Sequence, residues 1–197
     1  MSATASRWVA IDFETANREK ASACALGLAV IENGFIAEER AWLIQPPGNY
    51  FEWRNTEIHG IDEDVVAQEP EFDELWEEIS PYLDGAVILA HNATFDIAVL
   101  RGSLAHYDLE PPASAGYHCT VSIARKVWPR LANHKLDSVC GYCGIHLNHH
   151  DAASDARACA KIALAASEIA GAESLDALVE RLGMAPRPLV PAGSGGR

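Results

Sequence analysis

Arg7-Trp8-Val9-Ala10-Ile11-Asp12-Phe13 is the stretch whose reading decides the fold. It is an apolar run that ends in an acid, and Glu14 adds a second acid directly after it. A continuous apolar run of this length fits a strand buried on both faces, at the centre of a sheet covered by helices. Side chains two apart on a strand point to one face, so Asp12 and Glu14 emerge together where the strand opens into a site. Taken alone, such a pair is better explained by solvated acids at a capped strand end than by a cation site.

Working outward, Cys24 to Ile31 and Phe35 to Gln45 are two more strand candidates, and Asn33-Gly34 between them is a hairpin turn signal. Pro46-Pro47-Gly48 ends this meander. Phe72, Leu75, Trp76, Ile79 and Leu83 recur at helical spacing, and Asp84-Gly85 breaks the helix. Ala86 to Ala90 is a second buried strand, followed by a helix over 94–107. A short strand is expected over 117–120, then helices over 121–127, 136–143, 152–170 and 174–182. Three antiparallel strands followed by alternating helices and strands give an α/β fold, a mixed sheet with helices on both faces. Sites in such sheets lie at strand ends near the topological switch point.

The chain has 197 residues, which fits one domain over 1–184. The Pro- and Gly-rich stretch 185–197 is expected to be a disordered tail. Half of the chain is apolar, enough for a sizeable core, yet no stretch is long and uncharged enough to span a membrane. The first residues lack the layout of a secretory signal. Five cysteines, an odd number, argue against a disulfide framework, so a cytoplasmic protein with reduced thiols is expected. The formal net charge of −13 is unusual for a nucleic-acid binder. It is unevenly spread: 55–90 holds acids and no Lys or Arg, whereas 111–136 holds Arg125, Lys126, Arg130 and Lys135 and no acids. A polyanion would approach the second segment and avoid the first.

Two further acids stand at element starts. Asp96, in His91-Asn92-Ala93-Thr94-Phe95-Asp96, falls in the first turn of a helix, as does Asp155 in His150-Asp151-Ala152-Ala153-Ser154-Asp155. Each alone is explained by the helix dipole. Ala152, Ala153 and Ala156 leave room for that helix to approach the sheet closely. Four acids flanked by apolar or small residues would repel one another unless a cation held them. Carboxylates are hard ligands suited to Mg²⁺ or Mn²⁺, and two such ions balance four carboxylates. Two ions ~3.5–4 Å apart can hold the attacking and leaving oxygens of a phosphoryl displacement. His150 has an imidazole suited to a general base near neutral pH. His149 is its rival, and spacing to Asp155 favours His150.

Asp12-Phe13-Glu14-Thr15, His91-Asn92-Ala93-Thr94-Phe95-Asp96 and His150-x4-Asp155 resemble, in order and spacing, the three exonuclease motifs of the DEDDh (DnaQ-like) family. Asn55-Thr56-Glu57-Ile58-His59-Gly60-Ile61 resembles the family's segment between the first two motifs. The resemblance runs from about Arg7 to Ala170. It implies a ribonuclease-H-like fold with a five-stranded mixed sheet, and two metal ions. Asp12, Glu14 and Asp155 would be direct ligands, Asp96 a ligand directly or through water, and His150 the base. Thr15, His59 and Asn92 become candidate substrate contacts, although loop hydrogen bonding explains His59 and Asn92 equally well. Arg130 and Lys135 are candidate phosphate contacts. Phe13 stands where many relatives carry a smaller or β-branched residue.

Other signals carry less. Cys140-x2-Cys143-x2-His146-x2-His149 has zinc-ligand residue types, but zinc sites need a longer interval between ligand pairs. Cys140 and Cys143 also fit the apolar face of a helix with Leu136 and Val139, so packing is expected. Trp53 and Trp128 are weighed as base-stacking residues and set aside as anchors. The expected activity is removal of nucleotides from the 3′ end of DNA, single strands first, releasing nucleoside 5′-monophosphates. A 3′–5′ exoribonuclease on short RNA is the alternative, and a non-catalytic binding subunit comes third because all five catalytic positions are filled. The expected partner is the 3′ end of a nucleic acid, with no membrane. A homodimer stays open. The resembled family includes the proofreading epsilon subunit of bacterial replicative DNA polymerase, whose C-terminal region binds the polymerase; this tail is short and dissimilar, which makes polymerase attachment doubtful.

Overall fold

The computed structural model describes residues 6–189. Strand β1 (Trp8–Thr15) lies at the centre of a five-stranded sheet of order β3-β2-β1-β4-β5. The hairpin partners β2 (Ala23–Glu32) and β3 (Phe35–Leu43) run antiparallel, while β4 (Val87–Ala90) and β5 (Gly116–Cys119) continue in parallel on the other side of β1. The sheet is mixed and five-stranded, and the order changes direction at β1, where the two acids emerge.

The period-two alternation of β1 divides the molecule. Val9, Ile11 and Phe13 face one core, built with α2 (Phe72–Leu83) and α3 (Thr94–His106). Trp8 and Ala10 face the other, built with α4 (Thr120–Val127), α5 (Leu136–Cys143), α6 (Ala152–Ile169) and α7 (Leu175–Arg181). Phe13 is accommodated in the first core, its ring 6.5 Å from that of Phe72. Asp12 and Glu14 share the parity of Trp8 and Ala10, so they turn toward the α6 face.

Helix α6 lies across β1 and β2 on small residues, with Ala152, Ala156, Ala160 and Ala163 all buried. Its contact with β2 is at backbone distance: a Cβ on Gly27 would stand 1.9 Å from the Ala152 carbonyl oxygen. Gly27 is the register partner of Asp12. The glycine therefore lets the first turn of α6 sit beside the acid on the adjacent strand. The opposite face has ordinary large side chains, including Phe72, Ile79, Ile97 and Leu100.

Two differences from the sequence reading are structural. Helix α1 (Trp53–His59) was not foreseen: it buries no residue, so it leaves no apolar periodicity to detect. Gly60, with φ 76°, ends it. The expected tail also needs correction. Arg187 pairs with Tyr117 on edge strand β5 through hydrogen bonds of 2.8 and 3.0 Å. Leu189 is buried in the α2–α3 core, and Arg101 donates to the carbonyls of Pro188 and Leu189. Ala185 to Leu189 are therefore folded onto the domain, because β5 offers unpaired backbone groups and Leu189 offers apolar surface. The remainder of that expected tail, 190–197, lies outside the described residues. Among the described residues no helix is long and apolar enough to cross a membrane.

Candidate active site

Three chain segments converge at the end of β1. Asp12 and Glu14 come from the strand itself, both partly buried. Asp155 comes from the first turn of α6, and only 4% of its surface is exposed. That turn is fixed by its own cap: Asp151 accepts a hydrogen bond from the Ser154 amide at 2.9 Å. Carboxylate oxygens of Asp12, Glu14 and Asp155 all lie within 4.8 Å of one another. Asp96, in the first turn of α3, accepts a hydrogen bond from the backbone N–H of Phe13 at 3.1 Å. This bond ties α3 to β1 at the residue between the two strand acids.

The electrostatics follow from this crowding. Burial, then Asp96, Asp155 and Glu14, hold Asp12 well above the usual carboxylate range. Burial, then Asp155 and Asp96, push Glu14 up to about 7. Burial also raises Asp96 to about 7, against the opposing pull of the Phe13 N–H. Asp155 is raised by burial, with His149 opposing. One Asp155 oxygen, Oδ1, is buried and has no hydrogen-bond partner. An orphaned buried oxygen on a carboxylate clustered with two more acids fits a divalent cation: the ion's charge would remove the repulsion and its coordination would satisfy the orphan. The acidic cluster can hold such an ion.

The two candidate histidines both reach Asp155. Nδ1 of His149 is 3.1 Å from Asp155 Oδ2, and the backbone N–H of His150 donates to the same oxygen at 3.2 Å. Their rings stack with centroids 4.0 Å apart. His150 takes a positive φ of 67°, which turns the chain sharply just before α6. Burial and the neighbouring His149 lower the pKa of His150.

A cleft of about 730 Å³ opens over the four acids and is also lined by His91, Asn92, Phe95, Arg125, Lys135, His149 and His150. Of the candidate substrate contacts, Asn92 and Lys135 line it, and Thr15, His59 and Arg130 do not. Thr15 is buried. Its carbonyl accepts from Asn55 at 2.8 Å and faces His59 Nε2 at 3.2 Å, so these three tie β1 to α1. His59 instead lines an adjoining cavity of about 520 Å³ shared with His149 and His150. Arg130 lines a third cavity, with Trp128 and Tyr142.

Sequence reasoning singled out neither His91 nor Phe95. Both stood inside the quoted second motif, at a strand end and a helix start, which is the available signal. Cys140 is buried among apolar side chains, and neither it nor Cys143 belongs to a metal-capable cluster among the described residues. All five cysteines are free.

A family model described as an exonuclease (RNase_T) matches residues 9–163, the span that runs from β1 into α6. The chain belongs to this exonuclease family. The exonuclease is 30% identical over 138 residues to DNA polymerase III PolC-type of Clostridium perfringens, covering 70% of this chain and 9% of that protein. It is 30% identical over 163 residues to the PolC-type polymerase of Thermotoga petrophila, covering 80% of this chain and 12% of that protein. The exonuclease thus spans only about a tenth of these relatives.

Its fold is that of solved exonucleases. Exonuclease X in complex with 5′-overhanging duplex DNA matches with a TM-score of 0.67 and 22% identity, over 87% of this chain and 99% of that one. Exonuclease I matches with a TM-score of 0.74 and 18% identity, over 90% of this chain and 43% of that one.

Proposed function

We propose that this exonuclease hydrolyses phosphodiester bonds one nucleotide at a time from the 3′ end of DNA, single strands first, releasing nucleoside 5′-monophosphates. The observation that carries the proposal is the convergence of four acids from β1, α3 and α6 in one cleft that Arg125 and Lys135 also line. DNA is favoured over RNA because the relatives are DNA polymerases and the solved structures of similar fold include DNA complexes.

Two divalent cations, Mg²⁺ or Mn²⁺, suit this donor set. Asp12, Glu14 and Asp155 would hold them, with Asp96 contributing directly or through water. When bound, such ions supply Lewis acidity toward the phosphate oxygens and lower the pKa of a nearby water. The chain does the rest. His150 accepts the proton of a water on an imidazole nitrogen as that water's oxygen bonds to phosphorus. The bond from phosphorus to the 3′ oxygen of the preceding nucleotide breaks, and that oxygen leaves with the shortened strand. The depressed pKa of His150 keeps it neutral and able to act as base near pH 7. His149, bonded to Asp155, would orient that carboxylate. Asn92 and Lys135 would contact the strand. Free thiols throughout fit a cytoplasmic enzyme. No polymerase activity is proposed.

The test is digestion of 5′-end-labelled DNA and RNA of matched sequence with Mg²⁺, Mn²⁺ or EDTA. A ladder shortening one nucleotide at a time from the 3′ end, on DNA faster than RNA and lost in EDTA, is expected. Undiminished digestion in EDTA, or release of the 5′ label first, would overturn the proposal.

A further inference from the structure

The loop 128–135, between α4 and α5, separates two cavities. Its inner side, with Asn133, His134 and Lys135, lines the catalytic cleft, and its outer side forms the cavity of about 330 Å³ at Trp128, Arg130 and Tyr142. Two histidines fix the loop between them. Nε2 of His91 donates to the His134 carbonyl at 3.0 Å, which leaves Nδ1 to accept from the Thr120 hydroxyl at 2.9 Å. His134 Nε2 donates in turn to the Trp128 carbonyl at 3.0 Å. His91 follows β4 directly and precedes the helix that carries Asp96. The outer cavity is therefore held in a set position relative to the acids by hydrogen bonds rather than by a free loop.

The chemistry of the outer cavity is specific. Trp128 is 7% exposed and forms its floor. Tyr142 is 62% exposed and meets Trp128 edge-on, with ring centroids 6.2 Å apart and planes at 63°, which leaves a tyrosine face open to solvent. Arg130 stands at the rim and has no ion pair among the described residues. The segment 111–136 contains four cations and no acid in a chain of net charge −13. An open aromatic face beside a guanidinium from the cationic stretch of an acidic protein is complementary to a single-stranded nucleic acid: bases stack on aromatics and phosphates pair with arginine.

We propose that this outer pocket is a second nucleic-acid site, where a base upstream of the 3′ end stacks on Tyr142 while Arg130 pairs with an adjacent phosphate. The proposal rests on the exonuclease reading for the direction of the strand, since the 3′ end must occupy the acidic cleft for upstream nucleotides to cross the loop. It makes strand length a determinant of affinity. A dinucleotide fills the cleft alone, and a dodecamer reaches both sites.

The experiment measures anisotropy of 5′-fluorescein-labelled thymidine dinucleotide and dodecamer with the whole protein in Ca²⁺, an oxygen-ligated divalent ion that neutralises the acids, and kcat/KM for both with Mn²⁺. Tyr142→Ala should weaken dodecamer binding by roughly 5- to 150-fold, the usual loss for one stacking aromatic, and shrink the dodecamer's advantage in kcat/KM in parallel. Tyr142→Phe, which keeps the ring, should restore it. Arg130→Ala should lower the log–log salt slope for the dodecamer by about 0.7. An equal loss on both strands with Tyr142→Ala would mark a damaged cleft and overturn the second site, as would no change on either. Failure of the wild type to bind the dodecamer also overturns it. Binding with the expected variant effects but no cleavage would refute the exonuclease reading and leave the pocket standing.

Discussion

The acidic and the basic parts of the cleft lining are built on opposite physical plans. The acidic part is assembled from regular elements: Asp12 and Glu14 on a central strand, Asp96 and Asp155 in the first turns of two helices, Asp96 and Asp155 almost fully buried. The basic part is Arg125 at the end of a short helix and Lys135 on a loop, both exposed. Burial fixes the acids within ångströms and makes them repel, a cost that protonation or a bound cation removes. Exposure leaves the basic side chains free to follow a phosphate and screens their charge. Under the proposed function the acids serve the chemistry and the basic side chains serve capture, so damage to the first should appear in turnover and damage to the second in KM.

The largest effect should come from breaking the acidic part. Asp12→Asn and Asp155→Asn should each reduce turnover to near background. Each should also raise the thermal midpoint of the cation-free protein at pH 8, because one repelling charge is gone. Activity assays with Mn²⁺ and melting curves in EDTA check both parts. Near-normal cleavage by either variant would sink the assignment. His150→Ala should follow, with kcat lower by ~10²–10⁴-fold, the range for loss of a general base. His149→Ala should cost less, since His149 touches Asp155 rather than acting as the base. Reversal of that ranking in steady-state kinetics would exchange the two roles.

The comparison is sharpened by pH. Glu14 and Asp96 both rise to about 7 in the folded protein, above their unfolded values. Between about pH 4 and pH 7 the folded state therefore binds more protons than the unfolded one, so cation-free stability should fall as pH rises through this window. The expected loss is a few kcal/mol, roughly 5–10 °C in the midpoint for a domain of this size. Saturating Mn²⁺ favours the ionised acids and should abolish or reverse the slope. Differential scanning fluorimetry with EDTA or Mn²⁺ across that range measures it, and parallel curves would mean that the ion does not bind these acids.

Legibility in the sequence divides along the same line. The acids were visible because each ends or begins an apolar segment, and β1 was visible because nothing polar interrupts it before Asp12. The close seating of α6 was half visible, in Ala152, Ala153 and Ala156. Its partner Gly27 was not, since a glycine within Cys24 to Ile31 does not announce which helix will touch it. The Asp96 bond to the Phe13 amide joins residues far apart in the chain and leaves no trace in either local pattern. On the basic side, Arg130 and Lys135 looked equivalent, being close neighbours in one acid-free stretch. The path of their loop is set by the His91–His134 and His134–Trp128 bonds, which send Lys135 inward and Arg130 outward. Charge composition can suggest that a segment meets phosphate, but it cannot say from which side. Helix α1 and the folding of Leu189 were missed because one buries nothing and the other sits in a region whose composition suggests disorder.

The smallest effect should come from the basic part itself. Arg125 and Lys135 face the cleft, carry whole charges, and are positioned to meet phosphates rather than the reacting oxygens. Such contacts are made equally in the ground and transition states, so losing them raises KM and leaves kcat nearly unchanged. Each phosphate contact on a single strand contributes about 0.7 to the slope of log affinity against log salt. The Arg125→Ala, Lys135→Ala double variant should therefore flatten that slope by roughly 1.4 and bind worst, relative to wild type, at low salt. The net charge of the protein works in the same direction. With an acidic body supplying no long-range attraction, these side chains and the ion-loaded acids carry most of the capture, and digestion should be distributive. Steady-state kinetics across a salt series reads both quantities at once. A fall in kcat with unchanged KM would move these residues from capture to chemistry. An unchanged salt slope would mean that the strand is held from the acidic side alone.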